Sequence, residues 1–294
     1  MKVGVFGSIY QSDKLDVIQD CFRILKGFSQ EIYIENSFYI YLSEQLGYNP
    51  DFKDLFHERE DVSLDIALSL GGDGTFLRTT AIIGRKNIPI LGINTGRLGF
   101  LADIHKEEIE ETLTEVFAGQ YRIENRGLLQ LEVDRFVIGT PNFALNEIAV
   151  LKRDTSSMIT IHSFIDGDFL NTYLADGLLV ATPTGSTAYS MSVNGPILVP
   201  QADNLVLSPV APHSLNVRPL VIPADSRIHL QVEARSHTFL VALDGRSVVL
   251  PTGSKLNISK ADFSISVIKR LNHTFYQTLR QKLLWGNDYR GGKG

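Results

Sequence analysis

A chain of 294 residues is too long for one comfortable hydrophobic core, so two domains of ordinary size are expected. With 44% hydrophobic and 21% charged residues it is globular, and a net charge of −5 with an isoelectric point near 5.8 gives no electrostatic reason to expect nucleic acid or an anionic membrane as partner. The single cysteine, Cys21, excludes an internal disulfide framework, and its place between Ile18 and Phe22 on an apolar stripe makes it a buried structural thiol. No signal-peptide core and no apolar span of about 18 residues occur, and the protein is expected to be soluble and cytoplasmic.

The first hundred residues alternate strand and helix patterns. KVGVFG reads as a strand, and Leu15, Ile18, Phe22 and Leu25 recur at helical spacing. EIYIE is a second strand, followed by a helix around Phe38–Leu46. A strand then ends at Leu70, a helix begins at Thr75, and IPILGIN makes a strand from Ile88 to Asn94. Repeated units of this kind predict a mostly parallel, doubly wound sheet.

After a helix near Glu107–Phe117 the texture changes. From Tyr121 to Val267 short alternating runs such as LLQLEV, SRIHLQVEA and FSISVI predict an antiparallel β domain. NHTFYQTLRQKLLWG returns to helical spacing, so a C-terminal helix is expected to pack back on the first domain. The expected division is therefore 1–120 with 268–294, an α/β nucleotide-binding domain, and 121–267, a β-rich domain. The tail RGGKG is expected to fray.

The stretch LSLGGDGTFLRTT, residues 68–80, sets three glycines around one acid on a strand-to-helix turn. Each glycine weakens a regular element by about 0.5–1 kcal/mol, so the cluster answers to a backbone or ligand requirement. Such turns in open parallel sheets lie where ligands bind, and the following helix offers free N–H groups to phosphate. The structural alternative is a tight turn with Asp73 as helix cap. Neither a Walker motif nor an ordinary dinucleotide fingerprint is present, which leaves this turn as the best phosphate or ribose site. A carboxylate repels phosphate but accepts hydrogen bonds from sugar hydroxyls, which suits Asp73 to a hydroxyl that must lose its proton during phosphoryl transfer.

GGDGTFL (71–77), NTGRLGF (94–100), NEI (146–148) and DGLLVATPTGSTAYS (176–190), in this order, closely resemble the NAD kinases. These are ATP-dependent enzymes that phosphorylate the adenosine 2′-hydroxyl of NAD to give NADP. The resemblance covers nearly the whole chain and implies NAD and ATP as substrates, with NAD in a cleft between the domains. It also implies a divalent cation, Mg²⁺, carried with ATP, and a homo-oligomer, dimer or tetramer.

By this resemblance Asp73 is the general base and lies with Gly74 against the adenosine ribose and pyrophosphate, while Leu77 and Phe100 line the adenine side. Arg78 reaches either a phosphate or solvent. Asn94 and the TGRLGF loop close the same cleft; the structural alternative is a βα turn in which Gly96 and Gly99 need positive φ, and both can hold at once, while Arg97 stands where many relatives carry His or Asn. Asn146 and Glu147 resemble the pair that binds ribose hydroxyls, and Asp176 the acid at the nicotinamide end, with Leu174 where the family often has Arg or His. Thr184, Thr187, Ala188, Tyr189, Ser190 and Ser192 form a loop of hydroxyls and small residues that lets a ligand approach closely, with Tyr189 as a stacking face; a surface loop is the structural alternative. Asp244 matches an acid reached from a neighbouring subunit, with Arg246 nearby.

The seven histidines lack metal-ligand spacing, so a protein-built zinc site is not expected, and no serine-hydrolase elbow occurs. Two rival readings remain: a lipid or sugar kinase of the same superfamily, and a non-catalytic NAD(P) sensor.

Overall fold

In the computed structural model the run KVGVFG forms β1 (Lys2–Gly7), a fully internal strand whose successive side chains are nearly all buried. Residues 1–10, 12–57, 62–96, 98–134, 136, 138, 139, 141–154 and 157–284 are described. Arg97 and the tail from Trp285 lie outside them. The chain divides into two units, Met1–Asn125 with Ile265–Gly294 and Arg126–Ser264.

In the first unit β1 is followed by α1 (Leu15–Phe28), β2 (Glu31–Glu35), α2 (Asn36–Ile40), β3 (Asp54–Phe56), β4 (Ile66–Gly71), α3 (Asp73–Ile83), β5 (Ile90–Asn94) and α4 (Ile109–Phe117). The strands pair in parallel in the order β5-β4-β1-β2-β3. Chain order runs one way from β1 to β3 and the other way from β1 to β5, so the sheet has its switch point at β1 and β4, and GGDG follows the carboxyl end of β4. α1 buries Ile18, Cys21, Phe22 and Leu25, and burial pushes the Cys21 thiol up to about 12, which fits a packing role. The helix expected at 38–46 is present: α2 continues without a break into a wider π turn over Tyr41–Gln45.

The second unit begins within β6 (Tyr121–Val133) and continues through β7 (Phe143–Ala144), β8 (Glu147–Lys152), β9 (Ile159–Ile165), β10 (Asp168–Ala175), β11 (Gly177–Ala181) and the single helical turn α5 (Tyr189–Ser192). Then come β12 (Asn204–Val210), β13 (Leu220–Pro223), β14 (Ile228–Glu233), β15 (Thr238–Leu243), β16 (Arg246–Pro251) and β17 (Lys255–Arg270). One sheet has the order β13-β12-β11-β8-β15-β16, antiparallel throughout. A second antiparallel run is β10-β9-β14-β17. Their apolar faces enclose a core that includes Ile148, Val150, Ile161, Val180, Leu207 and Phe239.

β17 ends in the first unit, where Val267 pairs in parallel with Ile90. α6 (Phe275–Leu283) follows it there; Thr274 caps it, and Lys282 donates to the Leu98 carbonyl. The C-terminal helix thus belongs to the α/β unit. No described helix is long and apolar enough to cross a membrane.

Candidate active site

The glycines of GGDG serve different ends. Gly71 sits at φ +153°, and a Cβ there would lie 2.8 Å from Thr75 Cβ, so the backbone itself demands glycine. A Cβ on Gly72 or Gly74 would meet nothing within 4 Å. Those two positions leave open space in front of the first turn of α3.

Asp73 is the first residue of α3, and Gly72 is its cap, without a side-chain capping bond. The Asp73 carboxylate reaches across to the chain after β5. Oδ2 accepts the Phe100 N–H at 2.9 Å, and Oδ1 accepts the Leu101 and Ala102 N–H groups at 3.0 and 3.1 Å. The acid is therefore fixed by three backbone donors, and its orientation is set before any ligand arrives. Gly99 allows this: a Cβ there would lie 2.7 Å from Asp73 Cγ. Neither Gly96 nor Gly99 has positive φ, so the expectation of a left-handed turn fails and close approach to Asp73 is the reason for Gly99. Asn94 braces the same loop, donating to the Ala102 carbonyl at 3.2 Å and accepting the Gly96 N–H at 2.6 Å.

Leu77 and Phe100 are half-buried near this turn, and the Phe100 ring lies 6.4 Å from that of Phe275 with the Lys282 ammonium 5.7 Å away. Arg78 is partly exposed, and its charged end is engaged by its own unit. Its guanidinium pairs with Glu35 Oε2 at 2.7 Å, donates to Ser37 Oγ, and reaches the Gly7 carbonyl at 3.4 Å. Glu35 is 2% exposed and also caps α2 through the Ser37 and Phe38 N–H groups at 3.0 and 3.1 Å. Burial opposes its charge, but those N–H donors and Arg78 hold its carboxyl below the usual range. Sequence reading misses Glu35, although an acid at the carboxyl end of the strand after a first βα unit is a known warning sign.

In the second unit a matching device appears. Asp244 sits at φ +48° in the tight turn between β15 and β16, and its side chain is 4% exposed. Its Oδ2 accepts the Leu145 N–H at 2.7 Å, and Oδ1 accepts those of Asn146 and Glu147 at 2.7 and 3.3 Å. Asp244 is thus enclosed by its own chain, with Arg246 at 3.9 Å. The Leu145–Asn146 carbonyls are in turn held by Thr182, from Oγ1 at 2.5 Å and from N at 2.9 Å, so the NE segment and the TPTG loop stand together. Asn146 and Thr184 are buried, and Arg126, itself buried, points Nη1 at Thr184 Oγ1 from 3.5 Å.

The hydroxyls of that loop are unequal. Thr187 Oγ1 donates to the Thr184 carbonyl at 3.2 Å, and Ser190 Oγ is buried against Ser208 Oγ at 3.0 Å, which makes Ser190 a packing residue of this loop. Ala188 is half-buried, while Tyr189 and Ser192 face outward. Asp176 is not gathered with them. It precedes the five-residue β11, whose far end meets Glu147, so about 17 Å of strand separates it from the loop. Lys152 Nζ pairs with it at 2.7 Å, a partner visible only once β8 and β11 are in register. Among the described residues no three His, Cys, Asp or Glu side chains gather as a metal site.

A doubly wound sheet with a glycine–acid turn at its switch point, followed by an antiparallel β unit, defines a nucleotide-dependent phosphotransferase of two-part build. The ATP-NAD kinase N-terminal domain family matches residues 3–121 and the ATP-NAD kinase C-terminal domain family residues 145–270. The NAD kinase of Bacteroides fragilis is 51% identical over 99% of this chain and all of its own length, and that of Cytophaga hutchinsonii 43% over the same shares. Among solved structures, an NAD kinase from Archaeoglobus fulgidus in complex with ATP superposes with a TM-score of 0.72 at 26% identity, covering 97% of this chain and 99% of that one. Yeast NADH kinase complexed with NADH shares the fold at a TM-score of 0.87 and 24% identity, covering 100% and 90%. The chain belongs to the ATP-NAD kinase family.

Proposed function

We infer that this protein is an NAD kinase that transfers the γ-phosphoryl group of ATP to the adenosine ribose 2′-hydroxyl of NAD, releasing NADP and ADP. Full-length similarity to curated NAD kinases, with both domain families in order, carries this reading. Asp73 is its base. A carboxylate has about four lone-pair positions. Oδ1 uses both of its own on Leu101 and Ala102, whereas Oδ2 uses one on Phe100 and keeps one. Oδ2 is therefore the atom that takes the 2′-hydroxyl proton as the new O–P bond forms and the bond from Pγ to the ADP oxygen breaks. In a loose transition state that proton leaves late, so alignment matters more than base strength.

Gly74, Leu77 and Phe100 support the adenosine side beside the open space left by Gly72 and Gly74. Asn146, Glu147, Thr184, Thr187, Ala188, Tyr189 and Ser192 supply hydrogen bonds and a stacking face for the rest of the dinucleotide, and Asp176 takes its nicotinamide end. The cation that accompanies ATP, Mg²⁺, would be held mainly by phosphate oxygens and water, which fits a chain whose described residues gather no dense acidic set. The protein works in the cytoplasm as a homo-oligomer, dimer or tetramer, a point that light scattering on the purified chain decides. Incubation with ATP, Mg²⁺ and NAD, followed by assay with a strictly NADP-dependent dehydrogenase, tests the activity. Equal binding of NAD with no NADP formed would replace this reading with a sensor.

A further inference from the structure

The loop that supplies the Asp73 donors is braced within the first unit. Residues 98–103 are met on both flanks by one stretch of the C-terminal chain, 269–282, which runs from the end of β17 through α6. On one flank Lys269 Nζ donates to Asp103 Oδ2 at 2.6 Å, and His273 Nδ1 lies 3.2 Å from the same atom. On the other, Lys282 Nζ donates to the Leu98 carbonyl and lies 5.7 Å from the centre of the Phe100 ring, which also meets the Phe275 ring at 6.4 Å. The stretch is itself anchored. Arg122 donates from Nη1 to the Arg270 and Leu271 carbonyls at 2.8 and 3.3 Å and from Nη2 to the His273 carbonyl at 2.7 Å, and Arg270 Nε pairs with Glu115 at 2.7 Å. α6 then starts from a capping box at Thr274 and buries Thr278 and Leu279.

We propose that α6 is a positioning element for the base: Phe275 and Lys282 hold Phe100 and Leu98 so that the Phe100 N–H fixes Asp73 Oδ2, with its remaining lone pair turned to the incoming hydroxyl. The role of Asp73 rests on the reading given under Proposed function. Phe100 is the joint, because its N–H meets Asp73 Oδ2 at 2.9 Å while its ring faces α6. Oδ1 is held by two donors and Oδ2 by one, so a swing of the Phe100 peptide acts first on the reacting oxygen. Phe275 and Lys282 act through that peptide and are positioning residues, of the kind that keeps a reacting group in line before the substrate arrives. Lys282 is exposed, and its bond alone is a weak constraint; the ring contact and the Arg122 anchor stiffen the frame.

The double variant Phe275→Ala with Lys282→Met tests this. Its Phe100 peptide shifts by less than the 1 Å that costs about 10²-fold, so kcat should fall about tenfold with KM for ATP unchanged. Lys282→Met alone, at an exposed position, keeps the fold and should show a smaller part of that loss, whereas Lys282→Arg still donates to the Leu98 carbonyl and should match wild type. Because the effect runs through Asp73, the double variant should cost nothing further in an Asp73→Asn background. In the unliganded protein the Phe100 amide should exchange its hydrogen about tenfold faster in the double variant. Ile18→Val trims the core of the same unit through α1 and should leave both kcat and that exchange unchanged, which separates positioning from loss of stability. An unchanged kcat, an equal further loss in the Asp73→Asn background, or a rise in KM for NAD at constant kcat overturns the proposal. A wild type that makes no NADP overturns the kinase reading instead, and the exchange of the Phe100 amide, measured without ligand, still decides whether α6 holds the loop.

Discussion

Gly99 lies directly against the Asp73 carboxylate, so close that a Cβ on residue 99 would fall 2.7 Å from Asp73 Cγ. Gly99→Ala therefore displaces the acid without removing it. Misplacement by about 1 Å can cost about 10²-fold in rate. The expected variant is folded, with kcat reduced by about that factor and a much smaller change in Kd for NAD. Calorimetry alongside the coupled NADP assay checks this, and an unchanged kcat would show that the Asp73–Phe100 geometry is not what turnover depends on.

Asp73→Asn acts differently, because the amide turns an N–H₂ group toward backbone N–H donors. At least one of the bonds to Phe100, Leu101 and Ala102 is lost, at a cost of about 1–3 kcal/mol before relaxation. A lower Tm is expected together with a fall in kcat of about 10²–10⁴-fold, the usual worth of a positioned base. Near-normal turnover would remove Asp73 from the proton-transfer step.

Gly74→Ala separates fold from function in the same turn. A Cβ there meets nothing in the protein, and alanine is the better helix former by about 1 kcal/mol in a helix interior. Tm should hold or rise slightly. If the open space is where the dinucleotide approaches the backbone, KM for NAD should rise about tenfold or more. A fully active variant would mean that the space is merely solvent.

What a single sequence displays well is chemistry between near neighbours. The strand-to-helix turn at 71–75 and the Asp-Gly hairpin at 244–245 are written in consecutive residues, and alternation from residue 121 onward marks β structure. Partners across long separations are not. Arg78 could not be assigned to Glu35, 43 residues earlier, nor Glu147 to Asp244, 97 residues later, because periodicity tells which face a side chain occupies and not what faces it. The Asp73 donors at 100–102 are hidden for another reason: they are backbone N–H groups, which every residue carries. The separation of Asp176 from the Thr184 loop is hidden for a third reason: an apolar run as short as GLLVA fits a buried strand or a buried helical segment, and only its pairing as β11 makes it an extended span.

The Glu35–Arg78 pair predicts that Arg78 anchors α3. Removing the guanidinium leaves a carboxylate that is 2% exposed, supported by the Ser37 and Phe38 N–H groups and by the Ser37 hydroxyl, which donates to Oε2 at 2.8 Å. Arg78 is 30% exposed, so a loss of about 2 kcal/mol, below the range for a fully buried pair, is expected for Arg78→Met. The double variant with Glu35→Gln should recover part of it, which denaturant melts of the four-member cycle measure. Were Arg78 chiefly a phosphate ligand, Arg78→Met would instead raise KM for NAD or ATP and leave Tm unchanged.

Asp103 and Lys269, each 5% exposed, pair at 2.6 Å, and His273 Nδ1 lies 3.2 Å from the same Asp103 oxygen. They tie the segment after β5 to the end of β17. Burial opposes the Asp103 charge, but Lys269 and His273 hold its carboxyl below the usual range. Because the folded value lies below the unfolded one, the stability this group contributes is complete above about pH 4 and is lost as pH falls through the folded value. Asp103→Asn leaves the Lys269 ammonium buried beside a neutral amide, which should cost about 3–5 kcal/mol near neutral pH. The gap between wild type and variant should then narrow in strong acid, as the wild-type carboxyl takes up its proton and loses the same attraction. Urea titrations at pH 6 and near pH 3 measure both gaps; equal gaps would mean that the Asp103 charge contributes nothing to folding.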